Sequence, residues 1–315
     1  MSTPTMPLST IRQVSAAAFH DDVQFLETHW QRVAIVGNDL PLIDLGVGDP
    51  LVFVPILEHL EFVYARQVRI FSQSRRVILY RRQESRTRFV YLTERVEELC
   101  RVLDALGIAC ADFVGHGDAA MVLFEFALRY PERCRSLVIV AQGADYRIAP
   151  HPFIWLLHEA FLRLPIERLV PASLLRTIVI RYITHTEPPS LPQNTIPELT
   201  ELPRVLIEEQ FSKIALWPAV YRYSVLPIIH HFDIRTRLAS LTMPVLLINR
   251  HDDVLSRQAK TAWLAEHLSC CVGYHVVSGR ERFFLYSEAE IVTPLIEAFL
   301  ATVQLRGQSQ RVTNE

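Results

Sequence analysis

The chain has 315 residues, half of them hydrophobic, and a formal net charge of -2. That length suits one large single-core domain with room for an inserted subdomain. The near-neutral balance provides no general attraction to nucleic acid, and no apolar stretch reaches the length needed to span a bilayer. The first residues lack a basic start followed by a long apolar run, so no signal peptide is expected. The cysteines Cys100, Cys110, Cys134, Cys270 and Cys271 are odd in number and lack metal-type spacing. Reduced thiols in a cytoplasmic protein are expected, and the adjacent pair reads as small buried side chains.

In chain order, Gln31 to Gly37 and Pro41 to Leu45 read as a β-hairpin around Asn38-Asp39. Leu51 to Pro55 is a buried strand, Leu60 to Ser72 a helix and Arg76 to Tyr80 a strand. Thr93 to Leu106 is an amphipathic helix stopped by Gly107. Ala111 to Val114 is a strand, followed by a tight turn, a helix to Arg129 and a strand from Ser136 to Val140. Near the end come a strand (Pro244 to Asn249), a helix (Ser256 to His267), a strand (Val272 to Val277) and a helix (Glu288 to Val303). Strands alternating with helices imply an α/β fold, a mainly parallel central sheet covered on both faces. Between Ile148 and Asp233 the pattern changes. Apolar helical runs such as Phe153 to Leu157 and Val205 to Ile207 are punctuated by prolines, most densely at Pro188, Pro189 and Pro192, without a strand signal. The tail from Arg306 is polar and is expected to be loose.

The turn Gly115-His116-Gly117-Asp118-Ala119 joins the Ala111 strand to its helix. It has the form of a nucleophile elbow, in which a serine stands between small residues because strand and helix nearly touch. Gly117 takes the serine's place. With Tyr130-Pro131-Glu132-Arg133 and the apolar strand beyond, the stretch resembles the α/β-hydrolase superfamily, whose usual form is GHSxGG followed by a helix and YPERVRSLVLV. The resemblance runs from about Gln31 to about Val303. It implies an α/β-hydrolase fold with an N-terminal extension (1–30), a core in two parts (31–147 and 236–303), an inserted helical cap (148–235) and a polar tail (304–315).

The same resemblance locates the other catalytic positions. Pro244 to Leu255 matches the family's acid-bearing pattern, with Asp253 on the acid. Ser278 to Glu290 matches the histidine-bearing pattern, with Arg282 on the histidine. A guanidinium stays charged near neutral pH and cannot act as a general base. A bidentate Asp253–Arg282 ion pair is the expected structural replacement. The family's oxyanion loop carries His-Gly where this chain has Pro55-Ile56-Leu57, although the backbone amides of Leu57 and Asp118 could still converge. The glycines of the loop after the fourth strand are replaced in Arg81 to Arg88. The arginines there, Arg81, Arg82, Arg86 and Arg88, read as a solvated face, with an anion or acidic-partner site as the alternative.

Possible reassigned groups are Asp118, otherwise a carboxylate favoured at a helix start, and the pair Glu58 and His59, otherwise a solvated loop. His116 reads as a packing residue. His230-His231 lacks a ligand set for a metal, and no cofactor is expected. The leading expectation is an α/β-hydrolase-like protein without the serine nucleophile and catalytic histidine, non-hydrolytic, binding an apolar small molecule or a protein partner. The alternatives are a superfamily enzyme with reassigned chemistry (lyase, isomerase or cyclase) and, behind it, an ester-type hydrolase.

Overall fold

The computed structural model describes residues 12–35, 38–146, 152–184, 200–230, 232–251, 253, 257–277 and 281–313. Residues 36 and 37, the start of the insertion at Ile148, the prolines Pro188, Pro189 and Pro192, and His231 lie outside them. The first half contains β1 (Arg12–Gln13), α1 (Ala16–His29), β2 (Gln31–Ile35), β3 (Asn38–Leu45), β4 (Pro50–Val54), α2 (Ala65–Phe71), β5 (Arg76–Tyr80), α3 (Leu92–Ala105), β6 (Ala111–His116), α4 (Asp118–Arg129) and β7 (Cys134–Val140). Helices α5 (Pro152–Arg163), α6 (Ile166–Leu169) and α7 (Ala172–Thr184) follow, then β8 (Thr200–Glu201), α8 (Arg204–Lys213), α9 (Trp217–Val220) and α10 (Leu226–Ile229). The chain closes with β9 (Val245–Arg250), α11 (Gln258–His267), β10 (Cys271–Val277), α12 (Phe284–Ser287) and α13 (Ala289–Thr313).

Eight strands form the main sheet in the order β10-β9-β7-β6-β4-β5-β3-β2. Only the β2–β3 and β3–β5 pairings are antiparallel; the rest are parallel. Asn38 and Asp39, expected to form the hairpin turn, instead belong to β3 and pair with Ile35 and Ala34. The central strands read as unbroken apolar runs because both faces are covered. Leu51 to Phe53, Leu137 to Val140 and Leu247 to Ile248 are all fully buried. The edge strand β10 is half-open, with Val272 and Val276 exposed. This is the α/β architecture expected from the alternating pattern.

Two features went unread in the sequence. Helix α1 falls within the expected N-terminal extension but packs on the core, with Phe19 and Leu26 buried and the Tyr286 hydroxyl donating to Asp22 at 2.8 Å. Helix α13 runs on to Thr313 instead of loosening after Val303. The region between β7 and β9 is built mainly of helices. Among its described residues it holds one strand, β8, which pairs in parallel with β1 over Arg12↔Thr200 and Gln13↔Glu201. A two-residue strand is too short to announce itself by alternation. This helical insertion is tied to the core by Ser224, whose hydroxyl accepts from Ser85 N (2.7 Å) and donates to Ser85 O (3.1 Å). From the same core loop, Val90 N donates to Tyr223 O at 2.8 Å.

Candidate functional site

The elbow is built by close packing of β6 against α4. A Cβ on Gly115 would meet Leu123 Cδ1 at 2.7 Å and Ala120 Cα at 3.0 Å, so only glycine allows this approach. Gly117 has φ 59 and ψ -120, a left-handed turn that side-chain-bearing residues adopt only under strain. The positive-φ elbow backbone is therefore kept, unstrained in a glycine, although no nucleophile stands on it. Gly117 N donates to Val140 O at 2.9 Å, and Ala120 N returns to Gly117 O at 3.1 Å. Tyr64 fixes the turn from below: its hydroxyl donates to Val54 O (2.9 Å) and accepts from His116 N (3.0 Å).

Arg282 lies directly over this turn. Its Nη2 would be 3.0 Å from a Cβ on Gly117. Nη1 donates to Asp253 Oδ1 at 2.7 Å, and Nη2 donates to the Ala141 carbonyl at 3.1 Å. Asp253 and Arg282 are thus paired as expected, but through one nitrogen, because the second serves a backbone oxygen. Arg250, fully buried, brings its Nε to 3.8 Å from Asp253 Oδ2, so the carboxylate sits between two guanidinium groups. Gln67 holds the segment from behind by donating to Leu285 O at 2.7 Å. The His116 ring donates from Nε2 to Arg282 O at 2.7 Å and stacks on Phe283. Burial, with help from the Arg282 charge, pushes its pKa down to about 4, so the ring is neutral near pH 7. Gly117, Asp253 and Arg282, far apart in sequence, are brought together; His116 packs as expected.

The possible reassigned groups do not form an acid-base pair. Asp118 accepts from Arg82 Nη1 at 2.6 Å. Arg82 also donates to Glu84 (2.5 Å), Glu84 accepts from Arg95 (2.9 Å), and Arg95 reaches Glu98 (2.8 Å). Burial works against the Arg82 charge, but Asp118 and Glu84 hold it firmly protonated. Glu58 is bound by Arg86. Its pKa is raised by burial and drawn back by that arginine. His59 has φ 67, and burial with the nearby Arg81 charge lowers its pKa. The arginine loop is also not a simple solvated face. Arg82 is 3% exposed, Arg81 pairs with Glu61 and Glu27, and only the Arg88–Glu94 pair lies open to solvent. Internal carboxylates therefore occupy the charges that the anion-site alternative required. The amides of Leu57 and Asp118 donate to no backbone acceptor among the described residues.

Two carboxylates that the sequence did not single out are buried beside the site. Burial pushes both Glu281 and Glu288 up to about 7; the Arg250 charge opposes the shift at Glu281, and Thr200 N, 2.8 Å from Glu288 Oε1, opposes it at Glu288. No local motif distinguishes them from solvated glutamates, since what buries them comes from distant segments. A folded pKa above the unfolded value favours the protonated fold. The contribution is full below about pH 4.5 and is lost as pH rises through about 7. For Glu281 this is on the order of 3 kcal/mol. Urea melts between pH 5.5 and 8 should show stability falling with pH, and Glu281→Gln should flatten that slope. An unchanged slope in the variant would assign the titration elsewhere.

The sheet order and the turn between β6 and α4 define the class: the chain has the α/β-hydrolase fold. Solved structures similar to it include an enol-lactonase from Burkholderia xenovorans (TM-score 0.68, 17% identity, covering 86% of this chain and 100% of that one). A thermophilic esterase from Thermogutta terrifontis gives TM-score 0.68 at 17% identity, covering 87% and 99%. Est816, described as an N-acyl homoserine lactone degrading enzyme, gives 0.66 at 18%, covering 85% and 100%. No family model matches the chain. A relative in sequence is "Putative carbamate hydrolase RutD" of Azorhizobium caulinodans, 31% identical over 179 residues. The match takes in 56% of this chain and 60% of that protein's length. Among the described residues no helix is long and apolar enough to cross a membrane.

Proposed function

We propose that this α/β-hydrolase-like protein does not hydrolyse through a covalent serine mechanism and instead binds an apolar small molecule at the elbow, beneath a cap formed by the helical insertion. The observation that carries the reading is the Arg282 guanidinium, 3.0 Å from where a Gly117 Cβ would stand and tied to Asp253. A permanent cation replaces the proton acceptor that a serine would need, and the serine is absent as well. The surroundings favour an apolar ligand: Leu57 is buried nearby, and Phe62 packs on Phe283 with ring centroids 5.2 Å apart.

A second reading, an enzyme with reassigned chemistry or a hydrolase without a serine, is favoured by the retained elbow backbone and by the printed name of the sequence relative. In that case the Leu57 and Asp118 amides would hold a developing oxyanion. His59, kept neutral by burial, would be the base, because Asp118 and Glu58 are occupied by arginines.

Fluorophosphonate labelling decides between them, applied to the native protein and to the Gly117→Ser, Arg282→His double variant. The expected result is no labelling of the native chain and labelling of the variant, since the elbow backbone already has the required turn. Labelling of the native protein, or ester or carbamate hydrolysis that His59→Ala abolishes, would overturn the proposal.

A further inference from the structure

The helical insertion carries an exposed face that the elbow chemistry does not use. Leu156, Leu164, Leu169, Leu174 and Ile178 are each more than half exposed, with Leu169 at 72%. Isolated exposed leucines are ordinary, but a cluster of them marks an interaction surface. Leu174 and Ile178 are four residues apart on α7 and share one stripe of that helix, while Leu175 and Ile180 face inward and are buried. Helices α6 and α7 both pack against α9. The three apolar positions Leu169, Leu174 and Ile178 therefore belong to neighbouring helices resting on one support.

The charge on this face has one sign. Arg163, Arg168 and Arg181 are exposed. The carboxylates of the same helices are engaged on their inner side: Glu167 by the buried Arg222 at 2.8 Å, and Glu159 by His230 at 2.7 Å, with Arg163 also reaching Glu159 at 3.1 Å. What remains outward on these helices is aliphatic side chains and guanidinium groups, with the neutral Ser173 and Thr177 between them. That combination matches a surface that is apolar within and anionic at its boundary. Among the described residues no helix is long and apolar enough to cross a bilayer, and the contact argued for is interfacial.

We propose that the exposed face of α5–α7 docks on the interface of an anionic lipid bilayer, inserting Leu169, Leu174 and Ile178 among the acyl chains while Arg168 and Arg181 contact headgroup phosphates. This does not depend on what the elbow binds. Inorganic phosphate alone would not satisfy the apolar part of the face, and a neutral bilayer would not satisfy the arginines.

The test is co-sedimentation of the purified full chain with phosphatidylglycerol-containing vesicles and with pure phosphatidylcholine vesicles. Partitioning is expected to be at least tenfold stronger on the anionic vesicles and to fall steeply at about 0.5 M salt, where screening is short-ranged. Arg168→Ser with Arg181→Ser should weaken it by about 25-fold, some fivefold for each cation near an anionic surface. Leu174→Glu with Ile178→Glu should abolish it while the thermal midpoint stays unchanged, because both side chains are already in water. Equal binding to both vesicle types, or retained binding by the glutamate variant, would overturn the proposal. So would a wild-type dimer in light scattering that the glutamate variant dissolves, since a second copy would then cover the face. Should the glutamate variant fold poorly, the serine variant carries the same decision.

Discussion

Replacing Asp253 by leucine is expected to lower stability by about 3–5 kcal/mol, the usual cost of removing one partner from a buried ion pair. Asp253 is 3% exposed and lies between Arg282 at 2.7 Å and Arg250 at 3.8 Å. Without it, the Arg282 side chain, 10% exposed, keeps the Ala141 carbonyl as its partner among the described residues. The double variant Asp253→Leu, Arg282→Met should recover a large part of the loss, because two buried charges leave together. Denaturant melts of the wild type, both single variants and the double variant close the cycle. A double variant as unstable as Asp253→Leu alone would mean that the two residues do not act as a pair. The outcome also bears on function, since a strongly coupled pair is a structural replacement for the acid-histidine hydrogen bond and not a poised acid-base group.

The elbow was legible in the sequence because its constraints are local. Gly115 and Gly117 flank a buried strand and a helix, and contacts within the turn require small residues there. The pairing of Asp253 with Arg282 was legible through resemblance, but its form was not. A bidentate fork was the natural expectation for the two residues in isolation. The Ala141 carbonyl, from the end of β7, takes one nitrogen, and nothing near Arg282 in sequence announces it. The fate of Glu58 was illegible for the same reason: Arg86 arrives from the loop after β5 and removes the carboxylate from His59. Apolar periodicity located most strands of the main sheet to within two residues, but it missed β1, and β3 starts three residues earlier than expected because the polar Asn38 and Asp39 read as a turn. It failed at β8 and beyond Val303, where the signal is respectively too short and too polar.

The loop from Arg81 to Arg88 shows how a charge run can be buried without being solvated. Arg82 stands at its centre, bridging Asp118 at the start of α4 to Glu84, whose side chain is fully buried, and Glu84 passes the connection to Arg95 and Glu98. Arg82→Met is expected to cost about 3–5 kcal/mol, because Glu84 and Asp118 both lose a fixed cation in low-dielectric surroundings. Arg82→Lys should recover little of it, since the bridge uses Nε toward one carboxylate and Nη1 toward the other, and an ammonium offers no such fork. Paired urea melts of the wild type and both variants check this, and a methionine variant within about 0.5 kcal/mol of the wild type would reduce Arg82 to a packing residue. Because Asp118 follows Gly117 directly, the same variant also tests whether this bridge holds the first turn of α4 in place: labelling of the Gly117→Ser, Arg282→His protein should fall when Arg82→Met is added.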